Sequence, residues 1–167
     1  MKAQGSIYVS AVLAALAGYF VYQWWFNPNR SIKQRLGEVA SALSAPAAEG
    51  DLARLARLAR LRVYLDERIH VRAGRAGPEF SSRDEAIGAA AGWKPTSSAW
   101  NVNFVDVDVR VDSDWTARAF VTAEVATRDP QDGQKMFDSR EVVFSLRKRD
   151  GDWLISEAEV KDTPKTP

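Results

Sequence analysis

The chain of 167 residues contains no cysteine and only one histidine, His70. The lack of cysteine excludes disulfide bonds, thiolate metal ligands and a cysteine nucleophile. A single histidine excludes metal sites built from several histidines and leaves little basis for a histidine relay. We therefore expect neither a metal site nor a bound cofactor.

The chain also lacks an excess of charge of either sign. Lysine and arginine number 23 against 22 aspartate and glutamate residues, so the formal net charge is +1. Binding to a nucleic-acid backbone requires clustered positive charge, and here acids and bases alternate. This composition argues against a nucleic-acid partner.

Charged residues are absent from the N-terminal segment that begins at Ile7 and ends at Phe26. As a helix rising ~1.5 Å per residue, this segment is ~30 Å long and would span the hydrocarbon core of a bilayer. The pattern predicts a single transmembrane helix within an anchor and linker over residues 1–29. After the anchor, we expect a soluble domain over residues 30–160 and a disordered polar tail over 161–167. The alternative is a cleaved signal peptide, since residues 15–17 suit signal peptidase.

The charges that flank this segment favour two opposite orientations. A short N-terminal tail with Lys2 is typical of a signal-anchor that exports the domain behind it, whereas Arg30, Lys33 and Arg35 favour a cytoplasmic domain. We expect a single-pass protein of a bacterial inner membrane with an exported, periplasmic domain.

Small residues recur every four positions within the same segment, at Ser10, Ala14 and Gly18. On a helix they would share one face, where a second membrane helix could approach closely. They predict an interface with a membrane-protein partner or a second copy. The alternative is that small residues are simply common in membrane helices.

The domain changes from a helical to a strand period along its length. Apolar spacing and capping patterns predict helices from Ser31 to near Pro46, from Asp51 to beyond Leu61, and from Ser82 to Trp93. A short strand around Ile69 precedes four long strands, predicted over residues 101–111, 117–127, about 142–146 and 153–160. One face of these strands is aliphatic, so we expect an α+β domain with a curved antiparallel sheet wrapped around helices.

The second predicted helix carries four arginines, Arg54, Arg57, Arg60 and Arg62. We expect them on a solvated face above a leucine core, and contact with anionic lipid is the alternative.

Strand alternation separates an inward from an outward face of the sheet. It places Val105, Val107, Val121 and Phe144 inward, and Phe104 and Phe120 outward among charged neighbours. Large apolar groups on an exposed face indicate a protein contact, so Phe104 and Phe120 are predicted interface residues. Cover by neighbouring side chains is the alternative.

Three segments together resemble the nuclear transport factor 2-like superfamily, whose fold is the cystatin-like α+β cone. They are SSRDEAI at residues 81–87, SREVVFSLRK at 139–148 and DGDWLI at 150–155. The superfamily includes ketosteroid isomerases, polyketide cyclases and many non-enzymatic binding domains. The resemblance implies a cone around an apolar pocket, in which the enzymes place an acidic general base. We expect the pocket wall to include these residues: Tyr64, Trp93, Val105, Val107, Val121, Phe144 and Trp153.

The predicted inward positions of the best-defined strands carry no carboxylate. The ionisable residues nearest a cone mouth are Asp66, Glu67 and His70, with Tyr64 as a possible donor. Of these, Asp66, His70 and Tyr64 are weak catalytic candidates. The preferred hypothesis is therefore a membrane-tethered, non-catalytic interaction domain, an accessory or scaffolding subunit of a larger assembly or a homodimer. The alternatives are a binder of a small apolar ligand and an enzyme of the isomerase or cyclase type.

Overall fold

A computed structural model describes residues 12–18, 27–47, 49–75, 77–92, 99–128 and 133–162. These residues form four helices and six strands. The helices are α1 (residues 12–18), α2 (Pro28–Leu43), α3 (Asp51–Tyr64) and α4 (Arg83–Gly92). The strands are β1 (Leu65–Ala73), β2 (Glu79–Phe80), β3 (Trp100–Ser113), β4 (Thr116–Arg128), β5 (Lys135–Arg149) and β6 (Asp152–Val160).

The strands form one six-stranded sheet in the order β2-β1-β6-β5-β4-β3. β1 runs parallel to β6, while every other neighbouring pair is antiparallel. The last four strands follow one another along the chain as a meander. The predicted α+β domain with a curved sheet around helices is confirmed, but the prediction that this sheet is antiparallel throughout is wrong, because β1 and β6 are parallel.

Local capping interactions fix the starts of two helices. The Asn27 side chain accepts a hydrogen bond from the Asn29 amide, and Pro28 lies in the first turn, so α2 begins three residues before the predicted Ser31. The predicted capping box at α4 is confirmed. The Ser82 hydroxyl accepts from the Glu85 amide at 3.2 Å, and the Glu85 carboxylate accepts from the Ser81 amide at 2.8 Å.

The core lies between the helices and the inner face of the sheet. α2 contributes Ile32, Leu36 and Val39, which are almost fully buried. The sheet contributes alternating residues of its central strands, including Ala119, Val121, Phe144, Leu146 and Ile155. Burial of these apolar side chains is the main contribution to the stability of the fold, and it packs the curved sheet against α2.

The predicted transmembrane helix is wrong. α1 covers residues 12–18, which is about 10 Å of helix. Nowhere in the described parts of the chain is a helix long and apolar enough to cross a bilayer. Ser10 lies outside the described residues, whereas Ala14 and Gly18 lie on α1, and their role in an interface stays a prediction.

The predicted faces of β3 are wrong in its first half, because the strand contains a β-bulge. Val105 pairs with Thr122 and Asp108 pairs with Phe120, so β3 advances three residues where β4 advances two. Asp106, within this stretch of β3, has a positive φ of 50°. The extra residue reverses the alternation before it. Phe104 therefore faces inward, with its ring 5.4 Å from that of Phe144, and Val105 lies on the outer face opposite Thr122.

Candidate functional site

A cleft of about 640 Å³ opens at the end of the sheet where β4 leads into β5. The end of α2 and the start of β3 form one wall, and the ends of β4 and β5 form the other. Its lining is mostly apolar and consists of Ser41, Ser44, Ala45, Pro46, Ala99, Trp100, Asn101, Ala126, Thr127, Arg128, Lys135 and Phe137.

Hydrogen bonds between the end of α2 and β3 fix the first wall. The backbones of Ala45 and Trp100 exchange two hydrogen bonds, of 2.9 and 3.1 Å. The Ser44 hydroxyl accepts from the Val102 amide at 2.9 Å, and the Trp100 indole donates to the Leu43 carbonyl at 2.7 Å. These bonds satisfy carbonyl and amide groups at the helix end and join the end of α2 to the start of β3.

A buried ion pair supports the same wall from below. The Arg57 guanidinium donates to both carboxylate oxygens of Glu49, at 2.7 and 2.9 Å, and to the Ala42 carbonyl at 3.1 Å. It also lies 5.7 Å from the centre of the Trp100 ring. The hydrogen bond from Arg57 lowers the pKa of Glu49. The expectation of a solvated arginine face is therefore wrong for Arg57.

The rim of the cleft is cationic. Arg128 and Lys135 are register partners on β4 and β5, both are exposed, and neither has an ion pair within the described part of the chain. The lining contains no carboxylate. Phe137 beside them exposes 70% of its surface. An apolar wall beneath two cations suits a small anion that has an apolar body. Asp129 and Asp132 lie outside the described residues.

The predicted pocket residues do not line this cleft. Val121, Phe144 and Trp153 are buried in the core, and Tyr64 is half-buried beneath the Arg35 guanidinium, 5.2 Å from its ring centre. Val107 lines a separate, smaller groove between α2 and β3. Trp93 lies outside the described residues, and Val105 is on the outer face as given above.

The weak catalytic candidates lie on and beside β1. Asp66 and His70 line one depression of about 480 Å³ together with Arg118 and Glu157. The Asp66 carboxylate accepts from the Arg68 amide at 2.9 Å, and the His70 ring is hydrogen-bonded to Glu79. Tyr64 does not line the depression. A catalytic role for any of the three stays a prediction.

The two predicted interface phenylalanines are separated by the sheet. Phe104 belongs to the inner face, whereas Phe120 lies half-buried on the outer face with the Arg110 guanidinium 4.8 Å from its ring centre. Neighbouring side chains therefore cover Phe120 in part, which was the alternative to a protein contact.

Comparison with solved structures gives many similar chains, although no family model and no curated protein matches. A cystatin-like protein of unknown function from Nostoc punctiforme is 12% identical, with a TM-score of 0.61 over 82% of this chain and 92% of that chain. An NTF-2-like protein of unknown function from Shewanella oneidensis is 16% identical, with a TM-score of 0.56 over 81% and 99%. This chain has the nuclear transport factor 2-like fold.

The nuclear transport factor 2-like fold does not by itself select a function. Another similar structure is a hexachlorocyclohexane dehydrochlorinase, 10% identical, with a TM-score of 0.62 over 78% of this chain and 82% of that chain. Enzymes and proteins of unknown function thus share the fold. Within the described segments, no group of three or more histidine, aspartate or glutamate residues could hold a metal ion.

Proposed function

We propose that this chain is a non-catalytic binding domain that holds a small amphipathic anion in the cleft between α2 and the ends of β4 and β5. The observation that carries the proposal is the distribution of charge. The inner face of the cone is packed with apolar side chains, and Arg57, paired with Glu49, is the one buried charged residue within the described segments. The cleft lies outside that core, beneath two cations.

This distribution favours binding over acid–base catalysis. A general base in a cone of this type works because burial in an apolar hollow raises the pKa of its carboxyl group. No carboxyl group lies in the described core, and the polar groups in the mostly apolar lining of the cleft are two cations, three hydroxyls and the Asn101 amide. Arg128 and Lys135 can hold a carboxylate or sulfonate, but they offer no base to accept a proton at neutral pH.

Each part of the ligand has its own group of residues. The ring of Phe137 and the side chain of Pro46 supply apolar contact for the body of the ligand. The guanidinium of Arg128 presents paired donors that match a carboxylate, and the ammonium of Lys135 adds a second charge. The ligand class is therefore a carboxylate or sulfonate attached to an aromatic or aliphatic body.

Fluorescence titration with anilinonaphthalene sulfonate, followed by competition with 1-naphthoate and with neutral 1-naphthalenemethanol, tests the proposal. We expect the carboxylate to compete better than the alcohol. Removing Arg128 (Arg128→Gln) should weaken naphthoate binding by roughly tenfold, the loss of one charge-assisted hydrogen bond, and leave the alcohol unaffected. Phe137→Ser should weaken binding of both.

Arg147→Gln is the matched control, because Arg147 is exposed on the same strand and away from the cleft. Equal naphthoate affinity in Arg128→Gln and the parent chain would refute the proposal. Failure of every anionic probe to bind would refute it as well.

Protein interaction is the second candidate function. The observation that favours it is an apolar face of α3 that no described element covers, and it does not depend on the cleft.

A further inference from the structure

Helix α3 exposes large apolar side chains on the surface that faces away from the core. Leu52, Leu55 and Val63 expose 85%, 66% and 64% of their surfaces. Ala56 and Ala59 lie between them and are also exposed. At 3.6 residues per turn these five residues fall within an arc of roughly 100°. We call them the α3 stripe.

The α3 stripe exists because the Leu-Ala-Arg repeat of α3 has a period of three. A three-residue period drifts around a helix with 3.6 residues per turn, so the leucines cannot share one face. Leu58 and Leu61 are buried against the core, whereas Leu52 and Leu55 point away from it. The second set has no partner in the described part of the fold.

We propose that the α3 stripe packs against the same stripe of a second copy of this chain, with the two helices antiparallel. The two-fold axis would cross the helix pair at the level midway between Arg57 and Leu58. Leu52 of one copy then lies opposite Val63 of the other, and Ala56 lies opposite Ala59. The larger side chains then meet near the ends of the contact. The alanines meet at its centre, where the backbones can approach closely. The stripe is thus complementary in shape to itself, as a two-fold interface requires.

Charges beside the stripe are complementary in the same arrangement. Asp51 and Arg62 lie on the same flank of the helix, roughly 20° apart around its axis. The two-fold axis that relates the antiparallel helices leaves this flank of both copies on the same side of the interface. Asp51 of each copy therefore lies beside Arg62 of the other. Asp51 has no ion pair within the described segments, and Arg62 pairs at 2.5 Å with Asp84, where both side chains are exposed. Exchanging that exposed pair for a cross-copy pair has a small energetic cost.

The size of the stripe indicates a reversible dimer. A helix of 14 residues is about 21 Å long. One such helix from each copy buries less surface area than a standard protein interface. We therefore expect monomer and dimer to exchange at micromolar concentrations of protein.

Sedimentation velocity of the full chain across a range of concentrations tests the proposal. In the proposed arrangement Leu55 lies on the same flank as Arg62 of the second copy and within two positions of it along the helix. Leu55→Arg would therefore bring two like charges together and should weaken dimerisation by at least about tenfold. The matched control is Trp115→Gln, which removes an equally exposed apolar side chain (65% exposed) from the turn between β3 and β4 and should leave the dimer unchanged. Circular dichroism confirms that each variant is folded.

Charge exchange tests the antiparallel register itself. Asp51→Arg and Arg62→Asp should each weaken the dimer, and the double variant should restore it. Because the parent chain has no cysteine, mixing Ala56→Cys protein with Ala59→Cys protein should give a disulfide-linked heterodimer on mild oxidation. Asp114→Cys, far from the stripe in the β3–β4 turn, should give none.

A monomer at every concentration, or a dimer that Leu55→Arg does not weaken, would overturn the proposal. So would a monomer that binds vesicles of phosphatidylcholine and phosphatidylserine through Leu55, because a lipid surface would then be the occupant. A dimer that survives charge exchange without loss in either single variant would overturn the register. None of these outcomes bears on anion binding in the cleft, so the two proposals fail separately.

Discussion

Replacing Glu49 with glutamine would leave the Arg57 guanidinium buried without its anionic partner. The side chains of this pair are 11% and 8% exposed. Removing one partner of a buried ion pair costs roughly 3–5 kcal/mol, because the remaining charge is uncompensated. Here Arg57 keeps the Ala42 carbonyl and the Trp100 ring, and a glutamine oxygen can accept one hydrogen bond. We therefore expect Glu49→Gln to lower the free energy of unfolding by about 2–3 kcal/mol.

Urea unfolding followed by tryptophan fluorescence measures this loss, and the chain supplies a matched control. Arg118 and Asp112 form a pair with the same two-bond geometry, at 3.0 and 2.9 Å, but their side chains are 52% and 39% exposed. Solvent screens this pair, so Asp112→Asn should cost far less than Glu49→Gln. Equal losses in the two variants would refute the argument that burial, and not bond geometry, determines the cost.

Three further predictions concern pH and the bulge in β3. The fold lowers the pKa of Glu49 from its ordinary value of 4.5, so the contribution of Glu49 to stability is complete above that pH and is lost as the pH falls through the lowered value. Below pH 4.5, the free energy of unfolding should therefore fall more steeply with pH in the parent than in Glu49→Gln. Parallel curves for the two proteins would contradict this. Phe104→Ala should cost about 2–3 kcal/mol in urea unfolding, less than for a fully buried ring because Phe104 is half-buried. Val105→Ala should cost clearly less, because only Phe104 packs against the core; the reverse order would restore the predicted faces. Asp106→Gly should raise the thermal midpoint slightly, because glycine adopts the φ of 50° without strain; a large loss would show that the Asp106 side chain stabilises the bulge.

The positions of most helices and strands could be predicted from the sequence because their apolar periods are regular. Ser82 and Glu85 marked the start of α4, and alternation in β4 and β5 placed Val121 and Phe144 on the inner face of the sheet, where they are buried in the core and do not line the predicted pocket. The face of Phe104 could not be predicted in this way. One extra residue at Asp106 reverses the alternation of inward and outward side chains in the first half of β3. An aspartate within a strand pattern does not indicate a positive φ.

The predicted membrane span failed for a different reason. Hydropathy measures how apolar a run of residues is, and it does not by itself establish a helix that spans a membrane. The described part of the run is α1, at residues 12–18, with Val12, Leu13 and Leu16 exposed.

The cleft depends on contacts between distant parts of the chain, so no local pattern indicated it. The Trp100 indole reaches the Leu43 carbonyl 57 positions away, and Arg57 turns inward to meet Glu49. β5 begins at Lys135, before the predicted third strand, which brings Lys135 and Phe137 to the rim. The first part of β5 was not predicted as strand, because the polar residues 138–140 interrupt the alternation of apolar residues there.

The parallel pairing of β1 with β6 has a consequence for biosynthesis. His70 lies opposite Glu157 in that register, so β1 lacks this neighbour until the ribosome has added β6, 87 residues further along the chain. Such distant pairing slows folding. A nascent chain that stops before β6 would leave β1 without its neighbour in the centre of the sheet. We expect ribosome-bound fragments that end at residue 150 to be sensitive to protease and the released chain that includes β6 to resist it.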